Sequence, residues 1–451
     1  MSASTRHPRL KFVTAIAFCA ASSSAAALAP GQIGSLLTFP VSNTSDNAYA
    51  AVMDPSGALV IAGSGNSGGY SALARMATPG SADLTFGIGG VYTYNFSTTL
   101  PDFLRAIVRM NDGRYVACGE MFSANGTARD FLVARFNADG TLDGSFNFSG
   151  FADTPFLMSG VAGMLIDTCN AVAVQSDGKV VAAGFTQQFG PERVAVVRYA
   201  ADGSLDGTFG MGGKVVIDAS VGPTSDSTAQ ALLIQPGGKL LVAGYAQGTS
   251  NSEFMVLRLD KDGTLDTTFG GNNTGIVRTP VGTGSDYAYA MALQPDGKIV
   301  LAGQAQSSSI DFGLVRYEAN GVPDKSFGNG GVVTTPVGPG EDIAYSLELM
   351  PWGRLVAAGS ARISTTAQGS DIAAVAYNAD GSIDRYFGDH GKLMAQVTLH
   401  PDEVIYGLTM DASRTHLWAV GAGVPSTARD FLVLEIGVPD TIFRDGFEVV
   451  M

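Results

Sequence analysis

The sequence predicts an all-β fold: a seven-bladed β-propeller of four-stranded antiparallel blades, its ring closed by the N-terminal strand completing the last blade. Three observations carry this expectation. A turn glycine recurs at Gly57, Gly113, Gly178, Gly238, Gly297 and Gly353, with Ser413 in the seventh place, at spacings of 56, 65, 60, 59, 56 and 60 residues. Self-similarity at such a period marks one supersecondary unit that buries its faces against copies of itself. The run after each turn is apolar at successive positions, as in Lys298-Ile-Val-Leu-Ala-Gly303, so both faces of that strand are covered. The last copy also lacks its fourth strand, while the N-terminal Leu36-Leu-Thr-Phe-Pro-Val41 reads as a fourth strand with no unit before it. A strand left over at one end and missing at the other removes the unpaired radial edge that an open stack would leave.

In chain order, the first element is a leader. Arg6, Arg9 and Lys11 precede an apolar run from Phe12 to Ala21 and small residues ending Ala27-Leu28-Ala29. This is the pattern of an export signal over residues 1–29, and it predicts a protein that is secreted, cell-surface or periplasmic. The propeller is expected over residues 30–437. Each unit has a first strand, a Pro-Asp-Gly-type turn that favours a hairpin, a second strand, a variable polar loop, a third strand, and a long turn closed by a Phe before the fourth. The closing Phe recurs at Phe86, Phe146, Phe209, Phe269, Phe327 and Phe387. Residues 438–451 follow the last strand and are expected to form an exposed tail.

Composition narrows the function classes. The formal charge is −14, with 41 Asp+Glu against 27 Lys+Arg, three of the cations lying in the leader. Such a field repels nucleic acid and anionic lipid and favours solubility, so a monomer that binds no nucleic acid is expected. After the leader no apolar run is long enough to span a bilayer, and no integral membrane segment is expected. Catalytic motifs are absent: there is no nucleophile elbow, no H-E-x-x-H, and His390, His400 and His416 are not spaced as metal ligands. Two cysteines lie beyond the leader, Cys118 and Cys169. Export permits a disulfide between them, and two small buried apolar side chains are the alternative.

The Pro-Asp-Gly-Lys-(apolar)-Ala-Gly and Ala-Asp-Gly-x-Leu-Asp-x-x-Phe-Gly signatures resemble the delta-60 repeat, a bacterial β-propeller repeat domain of unknown function. Gln294 to Gly303 and Ala201 to Gly210 carry the resemblance best, and it extends over Leu36 to Gly437. It implies the fold and no activity.

Candidate binding residues come from comparing the copies. An Asp precedes every first strand, at Asp46, Asp102, Asp167, Asp226, Asp286, Asp342 and Asp402, 11 residues before the turn position in six copies and 12 in the fourth. A carboxylate ring at a channel mouth would attract calcium or another cation, whereas an architectural role would have each Asp accept backbone N–H bonds at its corner. No cofactor is otherwise implied. Three residues on stand Tyr49, Arg105, Asn170, Tyr289 and Tyr345, with Gln230 one place later, a polar set suited to a sugar or to ordered water. A second acidic set opens the third strands at Asp130, Glu192, Glu253, Asp311, Asp371 and Asp430, with Gly69 in the first copy. These sets share one face with the variable loops Ala246 to Ser252 and Ala361 to Ser370, where binding on a rigid scaffold is expected. The third-strand arginines Arg75, Arg135, Arg198, Arg258 and Arg316 are expected to brace the turn carboxylates Asp83, Asp143, Asp206, Asp266 and Asp324. The expected function is a non-enzymatic recognition or surface scaffold for a protein, glycan or cation. The alternative is a lyase or lactone hydrolase using axial carboxylates and a divalent ion.

Overall fold

A computed structural model describes residues 28–438, apart from 68, 79–80, 98–99, 124–127, 157–164, 188–189, 223, 363–368, 399, 412–413, 415 and 425–427. Most of the expected leader (up to residue 27), the expected tail from residue 439 and Ser413 lie outside the described residues. Within them the structure is β throughout, save a single 3-10 turn at Pro351–Gly353. No helix among them is long and apolar enough to cross a membrane.

Antiparallel four-strand units follow one another along the chain. Asn47–Met53, Leu59–Gly65, Tyr70–Thr78 and Val91–Tyr94 form the first, and Phe103–Arg109, Tyr115–Phe122, Ala128–Phe136 and Phe151–Thr154 the second. Leu165–Val174, Val180–Thr186, Arg193–Tyr199 and Lys214–Ile217 form the third, joined to the second by a short parallel pairing of Leu165 and Ile166 with Ala128 and Arg129. The fourth, fifth and sixth begin at Ser227–Ile234, Tyr287–Leu293 and Asp342–Leu349. In the last unit His400–Met410, His416–Val424 and Asp430–Gly437 are followed across the sheet by Ile33–Phe39, which pairs antiparallel with Asp430–Gly437. The pairing begins three residues earlier than the sequence pattern suggested and ends before Pro40, which has no N–H to give a ladder.

The second strands explain the stacking. Ile299, Val300, Leu301 and Ala302 are all fully buried, alternate side chains entering different cores. Each such Val, Leu or Ile gains about 1.5–3 kcal/mol from burial, which two neighbours must supply. Every core cluster accordingly draws on two consecutive units, and one of them joins Ala48, Leu59 and Ile61 to Trp418, Val420 and Phe431.

Three repeated devices account for the signatures. Each first strand carries a β-bulge opposite the glycine that ends the Ala-Gly pair, as between Ala288 and Ala290 opposite Gly303. A Cβ on Gly303 would lie 1.9 Å from the Tyr287 carbonyl oxygen, and one on Gly184 1.8 Å from that of Thr168. The bulge therefore demands glycine. In the outer turns Nε of Arg75, Arg135, Arg198, Arg258 and Arg316 donates at 2.7 Å to Asp83, Asp143, Asp206, Asp266 and Asp324. The same guanidiniums donate to a carbonyl of the next unit and lie 4.5–4.8 Å from the closing Phe ring, for example Arg316 over Phe327. The cation of the Pro-Asp-Gly-Lys turn completes the brace: Lys239 reaches Asp266 at 2.6 Å and Lys298 reaches Asp324 at 2.7 Å. Where Ala376 replaces the arginine, Arg354 contacts Asp384 at 3.2 Å. Finally Phe86, Phe146, Phe209, Phe269 and Phe327 each lie on a glycine in the long turn of the next unit, so that a Cβ on Gly321 would meet Phe269 at 2.6 Å.

Candidate functional site

At the start of the first strands, the side chain at the repeated position is turned inward and bonded to backbone. Asp286 accepts from the N–H groups of Val281 (2.7 Å), Gly282 (2.9 Å) and Gln306 (2.9 Å), and Asp342 from Val337 (2.7 Å) and Gly338 (2.9 Å). Asp46 holds Val41 and Ser42, Asp102 holds Phe96 and Ser97, and Asp167 holds Phe156. These carboxylates lock the loop that enters each unit. Burial pushes the carboxyls of Asp102, Asp167, Asp286 and Asp342 up, the backbone donors offsetting part of the effect.

Two members of the expected set are corrected. Asp226 is exposed, and Ser227 beside it is fully buried, its hydroxyl accepting the Ala219 N–H at 3.2 Å. Asp402 is also exposed, at a backbone φ of 117°, while Glu403 is fully buried and accepts from Val397 (2.8 Å) and Thr398. The reason is register. The residue that closes the seventh turn is Arg414, at φ 57° with its N–H on the Asp411 carbonyl, in the manner of Gly57 on Asp54. Counting from Arg414 in place of Ser413, and from Gly238, the structural positions are Glu403 and Ser227, and the interval is 11 in every copy. Among the described residues no group of three or more His, Cys, Asp or Glu side chains is arranged to hold a metal ion.

The residues three places on are the bulged ones, and the register correction makes their set regular. They are Tyr49, Arg105, Asn170, Gln230, Tyr289, Tyr345 and Tyr406, each falling at the register shift of its hairpin. A bulge re-aims its side chain out of the sheet faces, and here the side chains of successive units meet. Ring centroids are 5.2 Å apart for Tyr289 and Tyr345, 5.4 Å for Tyr345 and Tyr406, and 5.3 Å for Tyr406 and Tyr49. The Arg105 guanidinium lies 5.8 Å from the Tyr49 centroid. Asn170 donates to the Ala229 carbonyl at 2.9 Å, and the Tyr289 hydroxyl to Gln304 at 3.1 Å. All seven are half-buried. Burial pushes the Tyr345 hydroxyl up to about 12 and raises those of Tyr289 and Tyr406, so these three phenols stay neutral donors. Tyr406 does not stand out in the sequence, because three residues after Asp402 is Ile405 and only counting from Glu403 reaches Tyr406.

Three more side chains join the cluster. Glu120, 1% exposed, accepts from Arg105 (3.3 Å), Arg129 (3.0 Å) and the Thr168 hydroxyl (2.5 Å). Arg429 hydrogen-bonds Tyr406. Their signal in the sequence was weak, since arginine before the third-strand acid occurs at Arg129 and Arg429 but is Ser or Ile in units four to six. The third-strand acids lie near the next unit's first-strand carboxylates: Asp430 is pushed up to about 6 by burial and by Asp46, and Asp371 upward by burial and Glu403. A disulfide joins Cys118 of the second unit to Cys169 of the third, both fully buried, with Cα atoms 5.8 Å apart.

Comparison with known proteins fits this geometry at the level of the repeat. Residues 111–146, 175–209, 235–269 and 294–327 match the family described as "Domain of unknown function (DUF5122) beta-propeller". The molecule is thus a β-propeller, and these four segments are repeats of that family. No curated protein matches the chain. Similar solved structures include a catalytically inactive virginiamycin B lyase from Staphylococcus aureus, 9% identical over 90% of this chain and 99% of that one, with a TM-score of 0.49. Sqt1 from Chaetomium thermophilum is 12% identical over 88% and 97% of the two chains (TM-score 0.45), and the polysaccharide lyase Uly1 11% identical over 87% and 90% (TM-score 0.46). Likeness at this level carries nothing about activity.

Proposed function

We propose that the protein is an exported, seven-bladed propeller, closed by Ile33–Phe39, that acts as a non-enzymatic recognition scaffold taking a glycan at the mouth lined by the bulged residues. One observation carries the reading. The seven bulge positions share a backbone geometry yet hold four tyrosines, an arginine and two amides, whereas purely architectural positions repeat one chemistry. Aromatic faces beside amide and guanidinium donors suit a hydroxylated ring. Closure is supported by the pairing of Ile33–Phe39 with Asp430–Gly437 and by the core shared between the first and last units. Export is supported by the leader pattern and by the Cys118–Cys169 bond, which belongs to an oxidising compartment. No cofactor is part of the reading. An enzyme working through first-strand carboxylates is disfavoured because those carboxylates are spent on backbone N–H groups.

A glycan array probed with the folded protein tests the binding, with Tyr345→Ala as the control variant. Hits that vanish in that variant support the reading, and an array without hits overturns it. Closure is tested by removing residues 30–39, which should lower the melting temperature by more than about 10 °C; an unchanged melt would rule closure out.

A further inference from the structure

The mouth is not uniform in charge. The third-strand acids of the fourth, fifth and sixth units have no arginine next to them in the chain and Glu192 of the third is followed by Arg193, but the sector spanning the seventh, first and second units is different. Arg429 and Arg129 precede the third-strand acids of the seventh and second units, and between them the first unit has Gly69 where the others have Asp or Glu. Arg105 adds a third guanidinium, placed over Tyr49. Arg105 and Arg429 both act on the Tyr406 hydroxyl, one through space and one by a hydrogen bond. The guanidiniums of Arg105 and Arg129 share the one carboxylate of Glu120. Arg105 Nε is buried without a hydrogen-bond partner, while the guanidinium as a whole stays about one-third exposed beside the Tyr49 ring, where a ligand can reach its Nη groups.

We propose that this sector binds the carboxylate of an acidic sugar, a uronate-type ring, with Arg105 on the carboxylate and Tyr49 and Tyr406 against the ring. The inference rests on the glycan reading above and names the class of sugar. A guanidinium matches a carboxylate in planar geometry, and the aromatic faces of Tyr49 and Tyr406 match the apolar C–H face of a pyranose. The molecular charge of −14 opposes polyanions, so a ligand with one charge per ring fits better than a nucleotide or a densely phosphorylated chain.

Sodium glucuronate is the probe, titrated into the folded full-length protein by calorimetry, with glucose and acetate as controls. Saturable binding with a Kd of about 1–10 mM is expected, with glucose and acetate each weaker by about fivefold or more. Arg105→Gln, which keeps a donor toward Glu120, should weaken glucuronate by about tenfold while the exposed outer-turn variant Lys325→Gln leaves it unchanged. Equal affinity for glucose, no loss in Arg105→Gln, or no saturation would overturn the inference. Melting curves confirm that both variants are folded. Failure here alongside neutral-glycan hits abolished by Tyr345→Ala would leave the recognition reading standing, so the two fail separately.

Discussion

The outer turns and the inner mouth of this molecule are built from the same repeat and have diverged to different degrees. In the outer turns five arginines adopt one pose, Nε on the turn Asp, guanidinium over the closing Phe, and a further donor on the next unit's carbonyl. In the mouth the backbone is as regular, with a bulge in every hairpin, yet the bulged side chain is Tyr, Arg, Asn or Gln. Repetition of both backbone and chemistry marks a stabilising device. Repetition of backbone with free chemistry marks a surface that the fold can spare.

If so, a change in the outer turn should cost more than one in the mouth. Arg258→Ala removes the Asp266 contact, the Phe269 contact and the bond to Ala319 together, leaving a carboxylate that is nearly buried with Lys239 as its remaining cation. A loss of about 3 kcal/mol is expected in chemical denaturation, against less than about 1 kcal/mol for Tyr345→Phe. Comparable losses at both sites would erase the distinction.

The boundary between the two regions is the first-strand corner, and there the register correction can be tested directly. Glu403→Ala removes acceptors for Val397 and Thr398 from a fully buried site and should cost about 2 kcal/mol. Asp402→Ala, one residue away and exposed, should stay within about 0.5 kcal/mol. The opposite order would restore Asp402 to the repeated position.

That correction also shows what the sequence could and could not disclose. Strand content, the hairpin turns and the partnership of the N-terminal strand with the last unit were legible because apolar periodicity and turn glycines act locally and repeat. Ser227 and Glu403 were not, because each has an Asp just before it, and an Asp matches the pattern of the other copies better than the residue that is buried. Arg414 was hidden for a related reason: a non-glycine residue at φ 57° fills the turn position. Once those two anchors moved by one place, Tyr406 joined the bulge set and Gln230 lost its irregular spacing. Glu120 and Arg129 were invisible, since their meeting depends on which strand ends the bulges bring together.

The two regions should also answer oppositely to pH. In the outer turns burial raises the carboxyls of Asp206, Asp266 and Asp324, but partners such as Thr208, Lys239 and Lys298 outweigh it and hold them well below the ordinary range. A depressed folded pKa gives stability that is present above the unfolded value of about 4 and lost as pH falls below it. At the mouth the signs reverse. Burial, Asp153 and Asp167 push Asp130 up to about 7 against the opposing pull of Lys214, and burial with Asp46 pushes Asp430 up to about 6. Their stabilising contribution is full below about pH 4 and fades as pH rises through 6 and 7. The melting temperature should therefore peak near about pH 5, where the outer turns are ionised and the mouth acids still hold protons. From there to pH 8 it should fall by a few degrees, a slope that Asp130→Asn and Asp430→Asn should flatten while leaving the acid limb below pH 4 in place. A melting temperature that climbs from pH 5 to pH 8 in the unmodified protein would mean that the mouth carboxylates ionise freely, and the electrostatic contrast between the two regions would be gone.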